Sequence, residues 1–329
     1  MRSQILDWAE QGAVAPENLG AALALTGATP DASQWRRFVS ALLLWLGALL
    51  IAAGVIFFFA YNWHALGRFT KFGLVEGLLT ISVIAASIAG PDKAAGKASL
   101  LLASLLTGAL LALIGQTYQT GADTFELFAW WAVLILPWTI SARVPALWML
   151  WLALLNLAVI FYFQIIRGPF GMVSSETSLV WALAALNTIA LIAWEAGTWR
   201  GYSWMQDRWP ARLVAVASGT SITFLGLWGI FEASDPDWFA IPAYFAWLAA
   251  AYYYYRRQTL DLFVLAGGVL SLIVFVTSWL SDVLLDQTDA GSLLLIGVVV
   301  IGMSAAGAWW LKGIASRHEE EAEKAEAAE

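Results

Sequence analysis

From Ala41 to Lys312 the chain is a succession of apolar runs, each about as long as the ~20 residues a helix needs to cross bilayer hydrocarbon, with charges gathered mostly in the gaps. Hydrophobic types are 60% of the 329 residues and charged types 12%. Soluble domains hold roughly half and a quarter, so a soluble fold of this length has no interior large enough for that apolar surface. The runs are continuous rather than alternating in twos. That selects helices over a barrel, since only a helix satisfies its backbone within the segment. The expected fold is an all-α polytopic membrane protein, a bundle of about ten transmembrane helices with a short cytoplasmic N-terminal helical hairpin. The spans fall at about 41–61, 69–89, 98–116, 125–141, 145–164, 178–196, 211–231, 239–255, 260–280 and 292–312. The lipid bilayer is thus the first partner.

The organisation reads as a cytoplasmic N-terminal segment over 1–35, a transmembrane domain over 36–312 and an acidic cytoplasmic tail over 313–329. In the first segment Gly12 suits the position just past a helix end and Pro16 the first position of a second helix, which Gly27 would end. The tail is a solvated helix or disordered. The first apolar run starts too deep for a cleavable signal peptide.

Several chemistries drop out. The chain has no cysteine and two histidines, His64 and His318, far apart in sequence. Thiol nucleophiles, Fe–S ligation and histidine-rich metal centres are excluded, and no metal or other cofactor is expected. GxSxG, GxxxxGK[ST] and GxGxxG are all absent. No catalytic residue can be named, for want of a carboxylate pair, a Ser–Lys or a Ser–His arrangement, and the chain does not read as an enzyme. The net charge of −7 leaves no basic face for nucleic acid.

Charges orient the spans. Ser141 to Pro145 is a very tight turn, and Pro137 lies inside span four. Reading 125–164 as one broken helix would flip everything after it. With ten spans and a cytoplasmic N-terminus, 14 of the 17 Lys and Arg lie inside, and Arg68, Lys71 and Arg167 outside. Cationic residues concentrate on the cytoplasmic side, so the break at 141–145 is kept. Tyr252 to Tyr255 with Arg256 and Arg257 then read as an interfacial belt, as do most tryptophans at span ends.

Two stretches are too polar for their surroundings. Residues 59–72 leave span one and enter span two, and residues 115–128 link spans three and four on the same side. Together they place Asn62, His64, Arg68, Lys71, Gln116, Tyr118, Gln119, Asp123 and Glu126 at the outer face. Cations come from the first stretch and carboxylates from the second, a set suited to a polar or anionic headgroup, a sugar or a peptide. Asp123-x-x-Glu126 also matches a capping box for span four. Glu76 lies deeper, on one face with Gly73, Gly77 and Thr80. A GxxxG pair lets another helix approach, so this face is expected to meet protein, and an intramembrane carboxylate is a functional candidate by default. Asn156 and Asn187 sit mid-span and suit interhelical amide hydrogen bonds. Glu195 is expected to pair at the surface with Arg200.

The segments Trp35-Arg36-Arg37-Phe38, Leu44-Trp45-Leu46-Gly47-Ala48, Phe58-Phe59-Ala60-Tyr61-Asn62-Trp63 and Lys71-Phe72 resemble the bacterial membrane proteins of domain-of-unknown-function family 2157. So do Ile114 to Asp123, Glu126-Leu127-Phe128 and Trp130-Trp131-Ala132. The resemblance covers roughly residues 1–140. It implies a bacterial inner-membrane location and a cytoplasmic N-terminal segment, and it implies no reaction. The expected function is transport or binding of a polar or lipid-headgroup ligand through the outward-facing polar site. The alternative is a non-catalytic scaffold or sensor that grips a membrane-protein partner or a second copy.

Overall fold

A computed structural model describes residues 2–25, 32–62, 65–90, 92–165, 176–231, 238–284 and 290–326. Twelve α-helices and no strand occur among the described residues: α1 (Arg2–Glu10), α2 (Leu19–Leu25), α3 (Ala32–Tyr61), α4 (Arg68–Ala89), α5 (Ala94–Tyr118), α6 (Thr124–Ala142), α7 (Pro145–Ile165), α8 (Glu176–Trp199), α9 (Arg208–Phe231), α10 (Ala240–Arg257), α11 (Leu262–Leu284) and α12 (Ala290–Glu326). The all-α polytopic membrane fold read from the sequence is the fold observed. Nine of the described helices are long and apolar enough to cross a membrane. The one expected span missing from that nine is α10, whose 18 residues include five tyrosines and two arginines. Its position is nevertheless that of its neighbours. It runs antiparallel beside α9 from Arg208 against Tyr255 at one end to Gly229 against Ile241 at the other.

Local sequence sets the helix ends. α6 continues as helix through Pro137 and stops where Arg143 turns left-handed, at φ 51°. Pro145 then opens α7, where its missing N–H has no helical partner to lose. Span four and span five are therefore separate helices, as the charges required. Gly12 takes φ 73°, and Pro16 opens a 3-10 turn leading into α2. α1 and α2 touch each other; Gly27 lies outside the described residues. Two sequence boundaries fall inside continuous helices: α3 begins at Ala32, and α12 runs on past Lys312 to Glu326.

The chain divides into two compact units, residues 1–121 with 134–142 and residues 122–133 with 143–329. In the first, α4 and α5 form a tight hairpin with α3 against α5. Phe59, Val75 and Leu113 are its buried contact, one residue from each helix. In the second, α9 is central and packs on α8, α10 and α11. Its buried residues Ala211, Val214, Ala215, Ser218, Ile222, Leu225 and Gly226 recur at three- and four-residue steps. Gly226 has no side chain because Tyr244 and Phe275, stacked at 4.6 Å, occupy that space; a Cβ would sit 2.9 Å from the Tyr244 ring.

Candidate functional site

The first unit brings the two polar stretches together. The start of α4 and the end of α5 meet where the rings of Phe72 and Tyr118 approach to 5.9 Å. Around that contact Arg68, Gln116, Tyr118 and Gln119 are exposed and Asn62 is half-buried. Asn62 also ends α3, donating its side-chain Nδ2 to the Phe58 carbonyl at 3.0 Å. Arg68 lays its guanidinium over the Phe69 ring at 4.9 Å. Lys71 is buried, one helical turn before the core residue Val75. Gln119 closes α5 in the left-handed conformation, at φ 45° and ψ 51°, a region few residues other than glycine adopt. His64 lies outside the described residues.

Asp123 and Glu126 have a local task. They form the capping box expected of them, with the Glu126 carboxylate accepting the Asp123 N–H at 3.2 Å. Both belong to the second unit.

The expectation for Glu76 needs correction. Gly73, Glu76, Gly77 and Thr80 do share one face, but the face is exposed, and a Cβ built on Gly73 or Gly77 meets nothing within 4 Å. The small residues permit close approach without dictating it, and no described helix of this chain takes the opportunity.

A buried polar cluster in the second unit was not anticipated as such. At the end of the second unit where α8 and α10 finish and α9 and α11 begin, two carboxylates and two guanidiniums interlock. Glu195 accepts from Arg208 Nη1 at 3.1 Å, from the Tyr255 hydroxyl at 2.9 Å and from the Tyr254 hydroxyl at 3.2 Å. Asp261 accepts from Arg208 Nε and Nη2, each at 3.2 Å, and from Arg212 Nε at 3.0 Å. Asp261 also caps α11, taking the backbone N–H of Phe263 at 3.1 Å and of Val264 at 3.4 Å. The side chains of Glu195 and Asp261 are 7% and 1% exposed, those of Arg208 and Arg212 25% and 45%. Two positive and two negative charges balance, and every carboxylate oxygen is satisfied, the condition for a buried ionic group to persist.

This overturns the expected Glu195–Arg200 surface pair: Arg200 is exposed, and Glu195 is buried against a cation 13 residues away. It also removes Tyr254 and Tyr255 from the interfacial belt. Tyr255 is 2% exposed and donates inward. The available sequence signals were Arg208 and Arg212 at an i, i+4 spacing and Asp261 just ahead of an apolar run.

Deeper in the second unit, neutral polar contacts link the helices. Asn156 of α7 and Asn187 of α8 exchange amide hydrogen bonds at 3.1 and 2.7 Å. Ser218 takes part in a 2.8 Å hydrogen bond with Thr188 and accepts the Trp247 indole N–H at 3.1 Å. Ser271 meets both Thr223, at 2.7 Å, and Tyr244, at 3.1 Å. These contacts staple helix to helix, at roughly 0.6 kcal/mol each on average for interhelical hydrogen bonds in a membrane. No group of metal-ligating side chains occurs among the described residues.

Residues 6–148 match the DUF2157 family of predicted membrane proteins. The matched segment runs from within α1 to the first turn of α7, and it carries the Asn62 and Gln116–Asp123 motifs on which the resemblance rested. No curated protein matches the chain, and no solved structure does. It is accordingly a membrane protein with several apolar helices and a domain of unknown function.

Proposed function

We propose that this protein binds a polar or lipid-headgroup ligand at the polar end of its first unit and transports it or presents it at the membrane surface. The ligand site comprises Asn62, His64, Arg68, Lys71, Gln116, Tyr118 and Gln119. The supporting observation is the Phe72–Tyr118 contact, which gathers residues from both polar stretches at one end of the α3–α5 packing. Arg68 and Lys71 supply charge for an anionic group, and three carboxamides and a phenol supply hydrogen bonds for hydroxyls. Asp123 and Glu126 are occupied in capping and stand outside this set. The end in question faces outward, with both termini on the cytoplasmic side of a bacterial inner membrane. Counting α3 to α12 as ten crossings leaves only 3 of 17 cationic residues outside, which supports this orientation.

The test is a thermal-shift series on detergent-purified protein with water-soluble headgroup compounds: glycerol 3-phosphate, phosphoethanolamine and simple sugars. At least one raises the melting temperature of the wild type, and Lys71→Gln or Gln119→Ala removes the rise. If no compound stabilises the wild type, the proposal fails.

A second reading, a scaffold for a membrane partner or a second copy, is favoured by the uncovered Glu76 face. A carboxylate at the lipid surface is costly, and a protein neighbour on Gly73 and Gly77 would relieve it. Gly77→Cys in native membranes then gives a crosslinked neighbour with a short bifunctional thiol reagent. A monomer with no crosslinked species counts against that reading.

A further inference from the structure

The second unit holds a groove of about 600 Å³ between α10, α11 and α12. Leu248, Val269, Leu272 and Met303 are among its apolar walls, and Gly268 keeps one wall low, since a Cβ there would meet only Leu248, at 3.9 Å. Tyr252 and Trp310 line it too, their rings 6.0 Å apart. Arg256 lies over both, its guanidinium carbon 5.7 Å from the Tyr252 ring and 6.0 Å from the Trp310 ring. The aromatic faces fix the guanidinium without using its N–H groups. Its Nη1 is shielded from solvent and has no hydrogen-bond partner among the described residues. Arg257 and Lys312 flank the same end of the groove in sequence and are exposed. No described carboxylate pairs with Arg256; the ion pairs at this end belong to Arg208 and Arg212.

A buried guanidinium N–H left without an acceptor is unfavourable. A phosphate diester offers acceptors in the geometry a guanidinium prefers. Arginine beside tryptophan and tyrosine at a helix end marks headgroup depth, and the groove below it is apolar. We propose that α10, α11 and α12 bind one anionic phospholipid, with its phosphate on Arg256 between Tyr252 and Trp310 and an acyl chain along the groove past Gly268. The local charge is cationic, which commits the occupant to an anionic headgroup. This site is separate from the ligand site of the first unit, and it stands or falls independently of it.

The experiment is native mass spectrometry of the full chain in mild detergent, titrated with a dioleoyl phosphatidylglycerol probe. The wild type retains one phosphatidylglycerol. Arg256→Met, which keeps the stem and removes the charge, weakens retention at least tenfold, and Arg256→Lys restores part of it. Gly268→Leu fills the groove and weakens retention to a similar degree with Arg256 intact. On the wild type, neither diacylglycerol nor glycerol 3-phosphate displaces the lipid, because each carries only half of the recognised structure. Equal retention by wild type and a folded Arg256→Met variant overturns the proposal. So does displacement by glycerol 3-phosphate alone, a measurement that needs no variant.

Discussion

Asp261 is the residue whose loss the structure makes most costly. It is 2% exposed, bonded to two guanidiniums, and cap to α11 through two backbone N–H groups. Removing one member of a buried ion pair costs about 3–5 kcal/mol because its partner stays charged and unpaired. Here both arginines keep some access to solvent, 25% and 45%, and Arg208 keeps Glu195. The charge effect is therefore placed at about 2–3 kcal/mol. Losing the cap adds about 1 kcal/mol. Asp261→Asn, which retains shape and a capping oxygen, isolates the charge effect, and Asp261→Ala removes both. At roughly 2–4 °C per kcal/mol for a unit of this size, Asp261→Asn melts about 4–12 °C below the wild type, and Asp261→Ala lower still. The 20 tryptophans give an intrinsic fluorescence signal for the scan in detergent. Asp282→Asn, at an exposed position of α11, is the control and shifts the midpoint little. If Asp261→Asn melts within about 2 °C of wild type, the network is not a stabilising clamp and the reasoning is wrong.

Three further predictions use the same scan. Asn156→Leu and Asn187→Leu each destabilise by leaving a buried amide partner, and the double variant is less destabilised than the sum of the two, with a coupling of about 0.6–1.7 kcal/mol. Additive losses would mean that the two amides do not bond. Gly226→Val drives two methyl groups into the Tyr244–Phe275 stack and costs about 1–3 kcal/mol or more; an unchanged midpoint would show that the stack is loose. Gln119→Gly relieves the left-handed backbone and stabilises by about 1 kcal/mol, while weakening any headgroup ligand that uses the carboxamide. A variant that is less stable than wild type would contradict the observed backbone.

What the sequence made legible was local. Asp123 and Glu126 are three residues apart and their bonds close within one helical turn, so the capping box could be read directly. Arg143 and Pro145 bracket a helix break that the distribution of arginines required independently. The paired amides of Asn156 and Asn187 were legible as a type of contact, since a mid-span carboxamide must find a partner in the membrane interior. Glu195 was misread because its partners lie 13, 59 and 60 residues away, and a sequence offers the nearest cation, Arg200, with equal ease. Tyr255 was misread for a related reason: an inward and an outward tyrosine at a helix end have the same pattern until the neighbouring helix is placed. The Gly73–Gly77 pair shows a third limit. A face of small residues states that a helix can come close, and only packing states whether one does.

The polar end of the first unit is proposed to be an outward, water-reached ligand site. The native absence of cysteine allows a direct measurement. Gln119→Cys and Asn187→Cys are expressed singly, and intact cells are treated with a membrane-impermeant thiol reagent, with and without the headgroup compound that gives the largest thermal shift. Gln119→Cys is expected to label from outside and the compound to slow the labelling, while Asn187→Cys, at a position 2% exposed, stays unlabelled. Labelling of Gln119→Cys only after the cells are broken would reverse the orientation. Outside labelling at a rate that no headgroup compound changes would leave the end accessible and without a ligand, and would contradict the proposed function.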